Sequence, residues 1–545
     1  MRCECLTEMV RVRFTQAEVG WAWHHVGVQT DLADLERKLW DAADQLRANS
    51  SLTPSDYRGP ILGLIFLAFA EHRFVEVTPE LEATATARNP VTPDHYRAKG
   101  VLFVPDDALL SNLVKLPEGV KGGVGKRIDE AMAAIEKENV GLKDVLPRGY
   151  PKLESALLQS LLRLFAPLPR TLSGDAFGLI YEYFLSSFAM AEGRLGGEFF
   201  TPQSIVRLIV EIIEPFEGKV FDPACGSGGM FVQCAKFVGR HKGSATRDLS
   251  VYGIEQKEVT VPIGKMNLAL HGLSGDIRNA NSYYEDPHTA TGKFDFVMAN
   301  PPFNVNGVDK AKLDGQTHRL QYGIPRPDNG NYVWIQLFAS ALNPKGRAGF
   351  VMANSASDAR ASEAKIRRQL IEDQLVDVMV AVGPNMFYSV TLPVTLWFLD
   401  KGKRNSKRGK TVLFIDARST FRQIDRAHRD FRPDQIEVLA NIVRLYRGED
   451  TEFLDGSDDR FHELFPGGTY ADIPGLCKVA TLADIESQGW SLNPGRYVGT
   501  DTVDEDEGDF AERLAAMHAE FTKLSDEADV LRRAVDWSLG EILSR

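Results

Sequence analysis

Cysteine is scarce in this 545-residue chain, which has five, at Cys3, Cys5, Cys225, Cys234 and Cys477. So few and so scattered thiols build no disulfide framework, and they fit a reducing, cytoplasmic compartment. The Cys3-x-Cys5 pair lacks the second ligand cluster that would complete a tetrahedral metal site, so no metal is expected. Long apolar runs are lacking too. The longest, ILGLIFLAFA at 61–70, is interrupted by Gly63. It falls short of the ~18 residues a membrane span needs, so it fits a buried core helix and no membrane is expected. The first residues, MRCECLTEMVRVRF, hold no uninterrupted apolar stretch of the secretory kind. Positive charge is in deficit: 63 Lys and Arg against 75 Asp and Glu leave a net charge of −12. That is a poor endowment for a chain that would grip phosphates by itself.

What is present reads as an ordinary globular composition, 43% hydrophobic and 25% charged, long enough for roughly two to four domains. Charge is unevenly placed. Residues 401–410 (KGKRNSKRGK) hold six basic residues, and 501–509 (DTVDEDEGD) hold six acidic ones. The first could face phosphate, but a solvated hairpin tip is at least as good a reading; the second is a solvated linker.

Residues 1–29 show no clear period and read as a poorly ordered extension. From 30 to 166 the text is helical. Leu32, Leu35, Leu39, Ala42 and Leu46 follow the three/four spacing of an amphipathic helix, and further helical signals cover 59–74, 125–139 and 150–165. From 167 to 478 apolar strand-like runs alternate with helices, at 219–221, 251–254, 294–299, 348–352, 375–382, 392–399 and 412–415. This alternation predicts an α/β fold with a doubly wound, mostly parallel sheet. The short spacer between 375–382 and 392–399 predicts an antiparallel pair at one edge. The last region, 479–545, is a linker followed by a helix over 509–542. That helix repeats apolar residues at Phe510, Leu514, Met517, Phe521 and Leu524, as a coiled-coil arm or a partner-binding helix would.

The chemistry concentrates where strands end. Phe221 and Asp222 close a strand and run into Pro223, Ala224, Cys225, Gly226, Ser227, Gly228 and Gly229, a glycine-rich turn that opens a helix and lets a ligand lie against backbone. A dinucleotide fingerprint would need glycine where Phe231 stands, and no Gly-Lys-Ser/Thr phosphate loop is present. The turn therefore suits a ligand with a ribose and a charged amino acid. Glu255, ending the next strand, is placed to hold ribose hydroxyls. Asn281 and Ser282 follow a short third segment and could touch an adenine edge. The fourth strand, FDFVMA, stops at Asn300-Pro301-Pro302-Phe303. Proline cannot continue a central strand and pushes the preceding residue to extended geometry. Asn-Pro alone is a common turn, but as the fourth polar strand end in order it points to a functional crevice. Residues 304–332 lack periodicity and are expected to be a mobile segment that closes over a bound substrate.

These residues carry a resemblance. The Asp222–Gly228 turn is similar to the S-adenosylmethionine motif of N6-adenine DNA methyltransferases, and Asn300–Phe303 to their catalytic motif. Upstream, Gly197, Glu198, Phe199, Phe200, Thr201, Pro202 and Gln203 resemble the segment that holds the cofactor's methionine in one subgroup. GDAFGLIYEYF at 174–184, the helical N-terminal region and SLNPGRY at 491–497 resemble the modification subunits of type I restriction–modification systems. The resemblance covers about 30–545. Asn281 stands where aspartate is usual, and Cys225 and Ser227 vary the turn. It implies methyl transfer from S-adenosylmethionine to the N6 amine of a flipped adenine in double-stranded DNA, protecting host DNA. It also implies a specificity subunit bound by two copies of this chain, and a restriction subunit. In it Asn300 and the Pro301 carbonyl would accept the amine's hydrogens, Pro302 would stiffen the turn and Phe303 would stack on the base. A stand-alone DNA methyltransferase would need its own recognition domain, for which no sizeable segment remains. A protein-glutamine methyltransferase could share the Asn-Pro-Pro crevice, but its aromatic is typically Tyr and it needs no large helical N-terminal domain.

Overall fold

The computed structural model describes residues 54–166, 201–499 and scattered positions from 514 to 533, apart from 87, 89, 118, 242, 329, 388–391 and 425–427. The helical expectations for 30–53 and the segments 174–184 and 197–200 lie outside these residues. Two units emerge, one of 1–473 with 477–498 and one of 474–476 with 499–545.

In the first unit, helices α1 (Pro54–Thr84), α2 (Gly123–Glu138) and α3 (Ser155–Phe165) build a helical subdomain. The apolar run at 61–70 lies inside α1, and every one of its described side chains is buried, together with Ile128, Met132, Leu158 and Leu162. Gly63 sits there because a β-carbon would fall 2.2 Å from the Tyr150 hydroxyl. The run is a core helix, as read. Among the described residues no helix is long and apolar enough to cross a membrane.

The sheet is assembled from β1 (Gly218–Asp222), β2 (Leu249–Glu255), β3 (Gly275–Asn279), β4 (Phe294–Ala299), β5 (Leu342–Ala353), β6 (Val376–Val382), β7 (Val394–Asp400) and β8 (Thr411–Asp416). A two-stranded ribbon of β9 (Arg422–Gln423) and β10 (Arg429–Asp430) stands apart, and β11 (Cys477–Thr481) closes the sheet. The order is β11-β8-β6-β7-β5-β4-β1-β2-β3. β3, β2, β1, β4 and β5 run parallel; β7 is antiparallel to both its neighbours; β6 and β8 are parallel. Between and around them lie α4 (Gln203–Ile213), α5 (Gly229–Arg240), α6 (Val261–Leu270), α7 (Asn331–Ala341), α8 (Ser362–Glu372) and α9 (Pro433–Arg447). Strands β6 and β7 are buried at every residue, as near-continuous apolar runs of a sheet covered on both faces should be.

Four expectations are corrected. The antiparallel pair is real but internal, because β8 and β11 extend the sheet beyond β6. The boundary after 478 cuts through β11, which pairs with β8 from Cys477 to Thr481, so the body continues to Val498. The basic stretch 401–410 is not a hairpin tip. It crosses the end of β6 to link β7 to β8, and Lys403, 1% exposed, donates Nζ to the carbonyls of Val376 (2.5 Å) and Thr411 (2.6 Å). Arg408 pairs with Asp377 and Asp400. Finally, the segment 304–332 is tied to the core at several of its described residues. Val308, Leu313 and Leu320 are buried in the main core, and Arg319, 6% exposed, donates to the Ser282 carbonyl at 2.6 Å.

Helix α6 joins the two parts of the first unit: Met266 and Leu270 belong to the helical subdomain's core, while Asn267 Nδ2 donates to the Ser227 carbonyl at 2.9 Å. In the second unit the described positions from 514 to 533 are helical, and Leu514, Met517 and Phe521 are 54%, 66% and 69% exposed. Phe510 and Leu524 lie outside the described residues.

Candidate active site

Strand register brings the expected residues to one edge. Phe221 pairs with Tyr252 on one side and Val297 on the other, so Asp222, Glu255 and Asn300 all leave the sheet at its carboxyl end. Glu255 pairs with Asn279, which places Asn281 and Ser282 just beyond the same edge. In open α/β sheets this edge is where ligands bind.

The glycine turn is built by hydrogen bonds that begin at its acids. Asp222, 1% exposed, accepts from Ala224 N at 2.9 Å, and Glu255 accepts from Gly226 N at 3.0 Å and Lys257 N at 2.7 Å. Gly226 (φ +52°) and Gly228 (φ +79°) take left-handed backbone that a side chain disfavours. No atom lies within 4 Å of where a β-carbon would stand on Gly226 or Gly229, so the turn borders open space. Burial raises the Asp222 carboxyl to about 8, opposed by its bond from Ala224 and reinforced by Glu255. Burial likewise holds the Cys225 thiol far above its ordinary value, with Asp222 and Glu255 adding to the effect. A protonated, buried thiol is no nucleophile.

Ser282 is 4% exposed and donates Oγ to the Pro223 carbonyl at 2.5 Å, bracing the turn from behind. Asn281 Oδ1 accepts from Tyr283 N at 3.0 Å. Upstream, Pro202 precedes α4, and Thr201 stands just before it; Glu198, Phe199 and Phe200 lie outside the described residues.

At the end of β4 the Asn300 amide is divided in its bonding. Its Nδ2 donates to Thr201 Oγ1 at 2.8 Å, whereas Oδ1 is buried and has no hydrogen-bond partner among the described residues. Pro301 is buried and Pro302 exposed. Asn304 then adopts φ +53° and is clasped by Asn331 at the start of α7. Asn304 N donates to Asn331 Oδ1 at 2.8 Å, and Asn331 Nδ2 donates to Asn304 Oδ1 at 2.9 Å. Sequence reasoning passed over Asn331, Arg319 and Asn267; a fully buried amide opening a helix carries no local signal that distinguishes it from a turn residue.

A doubly wound sheet with a glycine turn after its first strand, an acid ending the second and Asn-Pro-Pro-Phe ending the fourth fits a methyltransferase of the S-adenosylmethionine-dependent class. Family models agree: residues 172–506 match N-6 DNA Methylase and 35–165 match the HsdM N-terminal domain. The MjaIX methylase subunit of a type I restriction enzyme from Methanocaldococcus jannaschii is 36% identical over 528 residues, 92% of this chain and 90% of that one. The HindI methylase subunit of Haemophilus influenzae is 38% identical over 445 residues, 78% of this chain and 95% of its own. A type I methyltransferase subunit from Streptococcus thermophilus shares the fold with a TM-score of 0.67 at 19% identity, covering 86% of this chain and 99% of that one. The chain belongs to the N-6 DNA methylase family, in its type I modification-subunit branch. Its activity is the N6 methylation of adenine in DNA.

Proposed function

We propose that Asn300–Phe303 forms the pocket for a target adenine swung out of the duplex, since an exocyclic amine inside a base pair cannot reach a strand-end crevice. One observation carries this: a buried carbonyl, Asn300 Oδ1, that no described residue satisfies. Leaving a buried acceptor unpaired costs about 1–3 kcal/mol, a cost explained when a substrate N–H completes it. Together with the Pro301 carbonyl it would offer two acceptors to an amine whose nitrogen becomes tetrahedral, stabilising the transition state over the planar ground state. Phe303 would stack on the base. S-adenosylmethionine, when bound, supplies the electrophilic methyl group. The open space at Gly226 and Gly229 would take it, held by Asp222, Ala224, Ser227, Gly228 and Glu255 of the turn and the next strand end, with Asn281 from beyond β3 and Ser282 supporting the turn through the Pro223 carbonyl.

The chain would act as part of a cytoplasmic complex with a specificity subunit, two copies of this chain on each, and a restriction subunit. With a net charge of −12 it has few cations to neutralise phosphates, and base readout needs a dedicated element in a groove. The exposed Leu514, Met517 and Phe521 face is the contact assigned to the specificity subunit.

The test is Asn300→Ala in chain co-expressed with its specificity subunit, scored by tritiated methyl transfer to cognate DNA. A loss of at least about 100-fold is expected, the scale of deleting one preorganised transition-state hydrogen bond, with cofactor binding little changed. Retention of more than about a tenth of the wild-type rate rejects the assignment.

A further inference from the structure

An asparagine amide is nearly symmetric in shape, and turning it by 180° exchanges a carbonyl for an NH2 group. For an incoming amine the two orientations are opposite in effect. The carbonyl accepts its N–H, whereas the NH2 group presents hydrogens against hydrogens. Something must select the first. From the Thr201–Asn300 contact we infer that Thr201 is a positioning residue for methyl transfer, holding the Asn300 amide with its carbonyl towards the target. This rests on the reading of Asn300 given above and adds a residue to it.

The contact spans 99 positions of sequence: Asn300 Nδ2 donates to Thr201 Oγ1 at 2.8 Å. In this orientation one buried carbonyl has no partner among the described residues. Reversed, the Thr201 hydroxyl could still donate to the amide oxygen, but the buried position would hold an NH2 group with two unsatisfied hydrogens, the worse arrangement; the hydroxyl therefore fixes the place of the amide and burial fixes its sense. Thr201 is also a firm support. Its β-branch restricts rotation about χ1, and it immediately precedes Pro202 and α4. Ion pairs of Arg207 with Asp455, and of Glu211 with Arg207, Arg240 and Arg444, fasten α4 to α5, α9 and the segment beyond α9. The hydroxyl is thus set on a stiff element while the catalytic amide sits on a strand end, and the bond registers one against the other.

The experiment uses the chain with its specificity subunit, a cognate duplex and four variants: Thr201→Val, Thr201→Ser, Asn300→Ala and the double variant Thr201→Val/Asn300→Ala. Thr201→Val keeps the shape and removes the hydroxyl. It is expected to lower kcat by about 10- to 50-fold at saturating DNA and saturating cofactor, the scale of misplacing a reacting group. Thr201→Ser restores the hydroxyl and is expected to stay within about threefold of wild type. Cofactor affinity, measured separately by calorimetry, reports any direct contact of Thr201 with the cofactor and so separates it from the effect on kcat. The double variant is expected to be no slower than Asn300→Ala alone, because the lock acts only through that amide. A Thr201→Val kcat within twofold of wild type while Asn300→Ala is inactive overturns the inference. So does a double variant slowed by the product of the two single effects. If instead Asn300→Ala stays active, the assignment of Asn300 itself falls. Should Thr201→Val fail to fold, Thr201→Ala takes its place in the same comparisons.

Discussion

Asn300 and Asp377 are polar side chains drawn into the same sheet, Asn300 just past the carboxyl end of β4 and Asp377 near the amino end of the parallel strand β6. Asp377 is fully buried, and its oxygens are met by Arg408, by Arg447 at 3.1 Å and by Lys403 at 3.9 Å. Burial pushes its carboxyl up, and the Arg447, Lys403 and Arg408 cations outweigh burial and hold it below the usual range. Asn300 keeps an acceptor with no partner among the described residues. At the amino edge the Asp377 charge is met by cations from within the chain; at the carboxyl edge the Asn300 carbonyl is not met. A protein interior normally satisfies its polar groups, so under the proposed function a substrate completes the Asn300 bond, whereas the Asp377 network fastens the fold. The basic stretch 401–410 belongs to the fastening, and for that reason it sits at the far edge from the chemistry.

The sharpest way to break this comparison is to remove charge where it is paired. Asp377→Asn leaves Lys403, Arg408 and Arg447 crowded without their common counterion. The expected cost is about 3–5 kcal/mol of stability, as for one partner lost from a buried ion cluster, seen as a lower thermal midpoint in differential scanning calorimetry. The folded fraction should methylate at the wild-type rate. Asn300→Ala should show the reverse, an unchanged or higher midpoint with methyl transfer lost. A variant pair in which both changes impair folding and leave turnover intact would erase the distinction between the two edges.

A smaller effect is expected at Glu255. Its oxygens accept from Gly226 N and Lys257 N, so it shapes the turn, and it is also the residue proposed to hold the ribose. Glu255→Ala should weaken S-adenosylmethionine binding by about 1.5–3 kcal/mol, the range for hydrogen bonds to a charged group. Calorimetry showing wild-type affinity would assign Glu255 to the turn alone.

The catalytic half of the sheet was readable because its strands are apolar runs that stop at polar residues. Phe294–Ala299 is a strand with the bounds its sequence suggests, and proline marks its end. Other elements carry no such mark. β3 buries one residue of five, and so offers neither an apolar run nor alternation. β11 is a five-residue edge strand whose partner, β8, lies more than sixty positions earlier. The segment after Asn304 looked loose because Val308, Leu313 and Leu320 follow no period, yet each reaches the core separately. The basic stretch could not be read from composition either. What decides its role is Asp377, an acid inside a strand of another run, and such pairing is a property of three dimensions.

Asp222 offers the finest test of the contrast, because it is a buried acid at the open edge with no cation beside it among the described residues. Its carboxyl is raised to about 8, where that of Asp377 is lowered. Burial penalises its ionised form, so Asp222 costs no stability below about pH 4 and progressively more as pH rises towards 8. S-adenosylmethionine carries a sulfonium and an ammonium group, and a cation beside a carboxylate favours ionisation. Binding should therefore expel a proton from Asp222 at pH 7, and with complete expulsion affinity should rise about 25-fold between pH 6.5 and 8.5 before levelling off. Calorimetry in buffers of different ionisation enthalpy measures that proton directly. Asp222→Asn, run in parallel, cancels the cofactor's own amino titration and should show the release abolished. Equal proton release by the two proteins would mean that the Asp222 carboxyl does not respond to the cofactor's charge.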